Sequence, residues 1–210
     1  MLGVAASIAI IFMFVHGPMA MFRLSMATAY VGLALLGAVL VIGPLRALRH
    51  QPIPLSLDLR RDLGIWAGIV GLAHAAVGLF VHLGNPLLYF LRPPGPPVSW
   101  LPRLDVFGAI NYAGLAGVLI MALLLATSND LSVRGLGATR WKSIHRWAYA
   151  LAALVVGHGA VYQLIEHRVP GFVALFVAIV AVTAVLQWRG FVTRRQGAAP
   201  GLRGPGTPAT

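Results

Sequence analysis

The residues of this 210-residue chain that could hold a metal are its seven histidines, because it contains no cysteine. Without thiolates there can be no disulfide framework, thiolate-held zinc or iron–sulfur cluster, and imidazole is left as the main ligand type. Two histidines, His145 and His158, fall thirteen residues apart in Arg140–Glu166, which opens Arg-Trp-Lys-Ser-Ile-His-Arg-Trp-Ala-Tyr and runs on through an apolar segment. At a helical rise of about 1.5 Å per residue they sit roughly 20 Å apart along one axis, within a hydrocarbon layer about 30 Å thick. That placement points to ligation at membrane depth. No paired carboxylates, nucleophile motif or phosphate loop compete with it, since Asp105 and Glu166 are at span ends.

The elements that must position these imidazoles follow from composition. Hydrophobic residues make up 59% and charged residues 10% of the chain, against about a quarter charged in soluble domains, so an all-α integral membrane protein is expected. Apolar runs bounded by Pro, Gly and charge predict a six-helix transmembrane bundle with spans at about 2–22, 24–43, 63–83, 105–126, 140–163 and 169–188. The first is read as an uncleaved span kinked at Pro18, and the second as closing at Gly43-Pro44. Residues 84–102, with six prolines and Trp100, read as a loop whose aromatics suit the membrane surface. Residues 1–195 are expected to form one membrane domain, and 196–210, rich in Gly, Pro and Ala, a disordered cytoplasmic tail.

The net charge of +11 is explained by topology. Basic residues stand scattered at span ends and form no stripe interleaved with aromatics, which argues against a nucleic acid partner and for membrane lipid. Arg46, Arg49, Arg60, Arg61, Arg134, Arg140, Lys142, Arg189, Arg194, Arg195 and Arg203 fall on one side; Arg23, Arg92, Arg103 and Arg168 fall on the other. The positive-inside rule makes the first side, with both termini, cytoplasmic.

The third and fifth spans then run parallel. Counted from Arg61 and Arg140, His74 lies about 20 Å in, His145 about 8 Å, His158 about 27 Å and His82 about 32 Å. His74 is closer in depth to His158, and an imidazole inside a membrane is a functional candidate, the plain alternative being a neutral histidine bonded to a neighbouring carbonyl. Haem fits: its iron takes axial imidazoles and its apolar porphyrin suits a cleft between helices. Gly71, Ala67 and Gly78 share a face with His74 and leave room for it, although Gly64, Gly68, Gly71, Ala75 and Gly78 are also a close-packing stripe. His145 is about 140° around the helix from His158, which suggests a separate inner site. It sits among Trp141, Lys142, Arg146 and Trp147, where an anionic propionate, a phosphate or a flavin could be held by charge and stacking, or where a snorkelling basic cluster marks the membrane surface; Arg61 is a further cofactor-binding candidate. His16, His50 and His167 read as interface markers.

Arg60-Arg61-Asp-Leu-Gly-Ile-Trp-Ala, Leu72-Ala-His74, Thr127-Ser128, Leu136-Gly-Ala-Thr-Arg-Trp141-Lys-Ser-Ile-His145-Arg-Trp-Ala-Tyr149 and His158 together resemble the ferric reductase-like transmembrane domain. That domain is shared by the haem-binding membrane subunit of the bacterial methionine-sulfoxide reductase system, the NADPH oxidases and the six-transmembrane metalloreductases. The resemblance covers about 24–188, and in size and layout the chain is most similar to the sulfoxide reductase subunit. It implies that His74 and His158 are the axial pair of one haem b, and that His145 is the inner position, a second haem ligand in two-haem members. Arg60-Arg61 stands where those members carry an inner histidine on the third helix, which leaves a second bis-histidine haem in question.

The expected function is electron transfer across the bacterial inner membrane, as the electron-carrying subunit of an oxidoreductase. The donor would be a cytoplasmic flavoprotein, a bound FMN or FAD, or quinol from the quinone pool; the acceptor would be a periplasmic redox partner such as a methionine-sulfoxide reductase. A direct ferric or quinone reductase of the same fold is the first rival, with 84–102 as its outer substrate site. A haem-free scaffold or transporter with structural histidines is the second.

Overall fold

The computed structural model describes residues 2–17, 19–49, 57–92 and 100–197, so the readings of Pro18, His50, the 51–56 link, 93–99 and 198–210 fall outside the described residues. Seven α-helices are present among these residues: α1 Leu2–Phe14, α2 Ala20–Leu48, α3 Leu57–Gly78, α4 Val106–Ala126, α5 Asp130–His145, α6 Trp147–Ile165 and α7 Pro170–Gly197. α2, α4, the stretch Asp130–Ile165 and α7 are long and apolar enough to cross a membrane. α3 opens on Asp58, Arg60, Arg61 and Asp62 before its apolar turns begin.

Several boundaries differ from the sequence expectation, each for a physical reason. The first helix does not run to residue 22 but ends at Phe14, where Arg23 donates two hydrogen bonds to the carbonyl of Phe12 (3.2 and 2.8 Å) and stacks on its ring. The guanidinium thus satisfies a helix-end acceptor. α2 does not close at Gly43-Pro44 but continues to Leu48 with Pro44 inside it. Proline cannot donate to the carbonyl four residues back, and Gln187 of α7 supplies the missing donor, its Nε2 lying 2.8 Å from the carbonyl oxygen of Leu40.

The polar, basic link between the expected fourth and fifth spans is helical. Asn129 caps α5 by accepting from the amide of Ser132 at 2.8 Å, Asp130 lies in its first turn, and Lys142 and His145 lie in its last, as the helix dipole favours. At Gly137 the backbone turns out of helical geometry (φ 75°, ψ 154°), a region that residues with a Cβ rarely enter. The expected helix 140–163 is therefore the second part of α5 followed by α6, with a tightened turn at Arg146 between them. α7 runs past residue 188 to Gly197.

The described parts of the 79–105 link, residues 79–92 and 100–105, fold back on the bundle. Tyr89, buried, donates to the carbonyl of Gly78 and accepts from the amide of His82, both at 2.9 Å, closing the C-terminal end of α3. A 3₁₀ turn at Pro86–Tyr89 and a two-residue antiparallel pair, β1 Leu91–Arg92 with β2 Leu101–Pro102, complete it. Asp105 caps α4 by accepting from the amide of Gly108 at 2.7 Å. That bond, with the guanidinium of Arg103 and then that of Arg92, holds its carboxyl below the usual carboxylate range.

α2 is the central helix, packed by α1, α3 and α7; α4 packs on α3 and α6. α2 and α3 cross closely where a Cβ on Gly32 would stand 3.8 Å from the backbone nitrogen of Gly71, the kind of small-residue contact that joins helices in lipid. A cluster of Val15, Met26, Tyr30, Leu33 and Phe176 joins α1, α2 and α7.

Candidate functional site

The helices frame a half-open cavity of about 440 Å³, lined by Tyr30 and Leu33 of α2, Gly71, His74, Ala75 and Gly78 of α3, Gly114, Gly117 and Met121 of α4, Leu154, His158 and Tyr162 of α6, and Phe176 of α7. His74 and His158 thus reach one space from different helices. The small residues of α3 serve twice: Gly71, Ala75 and Gly78 line the cavity, while Gly68 lies against Leu125 of α4.

Both histidines are held in the same way. The Nδ1 of His74 lies 3.0 Å from the backbone carbonyl oxygen of Ser25, and the Nδ1 of His158 lies 3.0 Å from that of Ile110. A carbonyl only accepts, so in the neutral imidazole Nδ1 carries the hydrogen and Nε2 keeps its lone pair. A backbone carbonyl on the other ring nitrogen is the usual support of a metal-ligating histidine. α4 approaches His158 so closely that a Cβ on Gly114 would stand 2.9 Å from Nδ1.

At the α4–α5 end, three of the predicted inner residues converge on 127–130. Arg61 pairs with Asp130 (2.6 Å) and donates to the carbonyl of Ser128 (3.2 Å); Trp141 donates to the carbonyl of Thr127 (2.8 Å); and His145 stacks on Trp141, with ring centroids 3.9 Å apart. The Nε2 of His145 lies 3.2 Å from the Thr127 hydroxyl, whose own hydrogen goes to Leu123 at 2.8 Å. His145 therefore donates through Nε2 and keeps the lone pair on Nδ1, the opposite tautomer to the other two. It lines a smaller cavity, of about 140 Å³, together with His74 and Ser128. Arg146 is exposed and lines neither cavity.

At the opposite end, the Nε2 of His82 pairs with Glu166 at 3.2 Å and its ring stacks on Tyr162. Tyr162 donates to Asn111 at 3.0 Å, and Gln163 donates to Tyr30 at 3.0 Å, which donates in turn to the carbonyl of Phe172 at 2.9 Å. Tyr30, Asn111, Tyr162, Gln163 and Arg168 all line the larger cavity, and sequence reasoning did not single them out. Their signal was present: Asn111 and Gln163 are amide side chains within otherwise apolar spans, and polar groups at that depth need partners.

Among the described residues no group of three or more His, Cys, Asp or Glu side chains could hold a metal ion. Fold and cavity together define a multi-pass helical membrane protein with two imidazoles from different helices on one internal space.

The chain is 30% identical over 173 residues to the protein-methionine-sulfoxide reductase heme-binding subunit MsrQ of Ralstonia nicotianae, covering 80% of this chain and 72% of that relative. It is 31% identical over 131 residues to the MsrQ proteins of Yersinia pseudotuberculosis and Yersinia pestis, covering 62% of this chain and 58% and 57% of theirs. No family model matches it. The chain belongs to the MsrQ family and is a multi-pass protein of the bacterial inner membrane.

Proposed function

We propose that this chain is the haem b electron-transfer subunit of a methionine-sulfoxide reductase system, with the ferric reductase-like membrane fold. It would carry electrons from a cytoplasmic flavin or flavoprotein, or from quinol, to a periplasmic acceptor. The observation that carries the reading is the pair His74 and His158, on α3 and α6, lining one cavity with each Nδ1 on a backbone carbonyl. The volume of about 440 Å³ lies within the range of about 300–1,000 Å³ typical of cofactor sites, and the apolar lining suits a porphyrin. His74 and His158 would be the axial ligands; the bound haem supplies a one-electron couple. The protein's own contribution is to orient both rings, keep Nε2 deprotonated and surround the site with apolar side chains.

The reading includes one haem. The cavity beside His145, about 140 Å³, is below the usual cofactor range, and His145 spends Nε2 on Thr127. The Arg61–Trp141–His145 cluster is proposed as the cytoplasmic end where a flavin or quinol donor engages, residues 1–195 forming one membrane domain. The proposal keeps six spans, with α1 and α3 beside the four long apolar helical stretches, and the distribution of Arg and Lys over the links supports cytoplasmic termini.

An absorption spectrum of the detergent-purified protein after haem-replete expression tests this. A Soret band with a low-spin signature is expected in the wild type, and either His74→Ala or His158→Ala is expected to abolish the low-spin form. Absence of the band in the wild type overturns the haem reading; an unchanged spectrum in both variants overturns the pairing.

A further inference from the structure

The α6–α7 turn places a cation, Arg168, against the larger cavity, with no ion-paired carboxylate among the described residues. The turn is a Schellman motif: the amide of Arg168 bonds to the carbonyl of Gln163 (3.2 Å), that of His167 to the carbonyl of Leu164 (3.3 Å), and His167 takes the left-handed conformation, φ 45°. This closure turns Arg168 back onto the end of α6. Its side chain lines the cavity and its guanidinium lies 4.8 Å over the ring of Phe22. Glu166, two residues away, pairs instead with His82 at 3.2 Å, and no ion pair to Arg168 exists among the described residues. Beside it the Oε1 of Gln163 is buried without a hydrogen-bond partner among the described residues. Partial burial lowers the pKa of Arg168, opposed by the nearby Glu166 carboxylate, yet a guanidinium stays protonated, and a half-buried charge without a hydrogen-bonded anion is costly.

We infer that Arg168 is the anchor for a carboxylate of the cavity's ligand: on the haem reading above, on which this rests, it holds a propionate and so fixes the porphyrin with its carboxylate edge at the α6–α7 turn. A guanidinium–carboxylate bond is charge-assisted and sets orientation as well as affinity. Arg23, on the same side of the proposed topology, cannot share the role because it is spent on Phe12.

The test is Soret titration of the apoprotein with haem and with haem dimethyl ester, whose propionates carry no charge. Wild type is expected to bind the ester at least about tenfold more weakly, the scale of a hydrogen bond to a charged group. Arg168→Gln should lose about tenfold in affinity for haem and no longer distinguish the two ligands, while Arg23→Gln keeps the wild-type preference. Equal binding of haem and ester by the wild type overturns the inference, and means that Arg168 serves another anion such as a lipid phosphate. A preference retained in Arg168→Gln overturns it as well. The wild-type comparison decides even if that variant is not recovered. Failure of the wild type to bind either ligand overturns the haem reading itself, which separates the two failures.

Discussion

At the scale of single residues, the site depends on which nitrogen of each imidazole is occupied. His74 and His158 both use Nδ1 on a carbonyl, while His145 uses Nε2 on a hydroxyl, so three histidines of one sequence type divide into two kinds. Gly114 is the residue most tightly coupled to this arrangement, because its missing Cβ leaves the Nδ1 edge of His158 room that a methyl would fill at 2.9 Å. Gly114→Ala is expected to push the ring off its carbonyl, cost about 1–3 kcal/mol as overpacking does, and weaken haem binding without removing a ligand. Soret titration of the variant against the wild type, with thermal unfolding alongside, measures both effects.

At the scale of elements, the helices are repaired by their neighbours. Pro44 would end α2 in isolation, and its run to Leu48 depends on Gln187 reaching from α7 to the carbonyl of Leu40. Replacing Gln187 by Leu should leave that carbonyl unpaired in apolar surroundings and cost about 1–3 kcal/mol. In a Pro44→Ala background, where α2 supplies its own amide donor, the same change should cost much less. Melting temperatures of the four proteins in detergent give the coupling directly. α5 shows a related limit of pattern reading: its charged and polar stretch lacks a span's hydropathy, and only the structure shows it as a helix opened by the Asn129 cap. Apolar periodicity finds the helices that face lipid; α5 is formed by its caps and its dipole.

At the scale of the whole molecule, orientation decides, on the proposed function, which face meets the donor and which the acceptor. The absence of cysteine makes single-cysteine labelling clean. With Asn85→Cys on the α3–α4 link and Arg134→Cys in α5, a membrane-impermeant maleimide applied to intact spheroplasts is expected to label the first and not the second, which should react only after permeabilisation. The reverse pattern would invert the topology and place the α6–α7 turn, with Arg168, on the cytoplasmic side.

The amino-acid sequence by itself pointed to the membrane class and to most of the helical segments, because composition and hydropathy are local properties of the chain. That His74 and His158 reach one space was legible from counting residues along the chain, and so was the small-residue face beside His74. Only the tertiary structure decided which carbonyl each imidazole meets, that Gln187 rescues the helix around Pro44, and that Tyr30, Gln163 and Arg168 gather at one end of the cavity. The reason is distance along the chain: His74 meets Ser25 across 49 positions and Gln187 meets Leu40 across 147. No window of local pattern spans such a pairing; it forms when α2 brings α3 and α7 against its two sides.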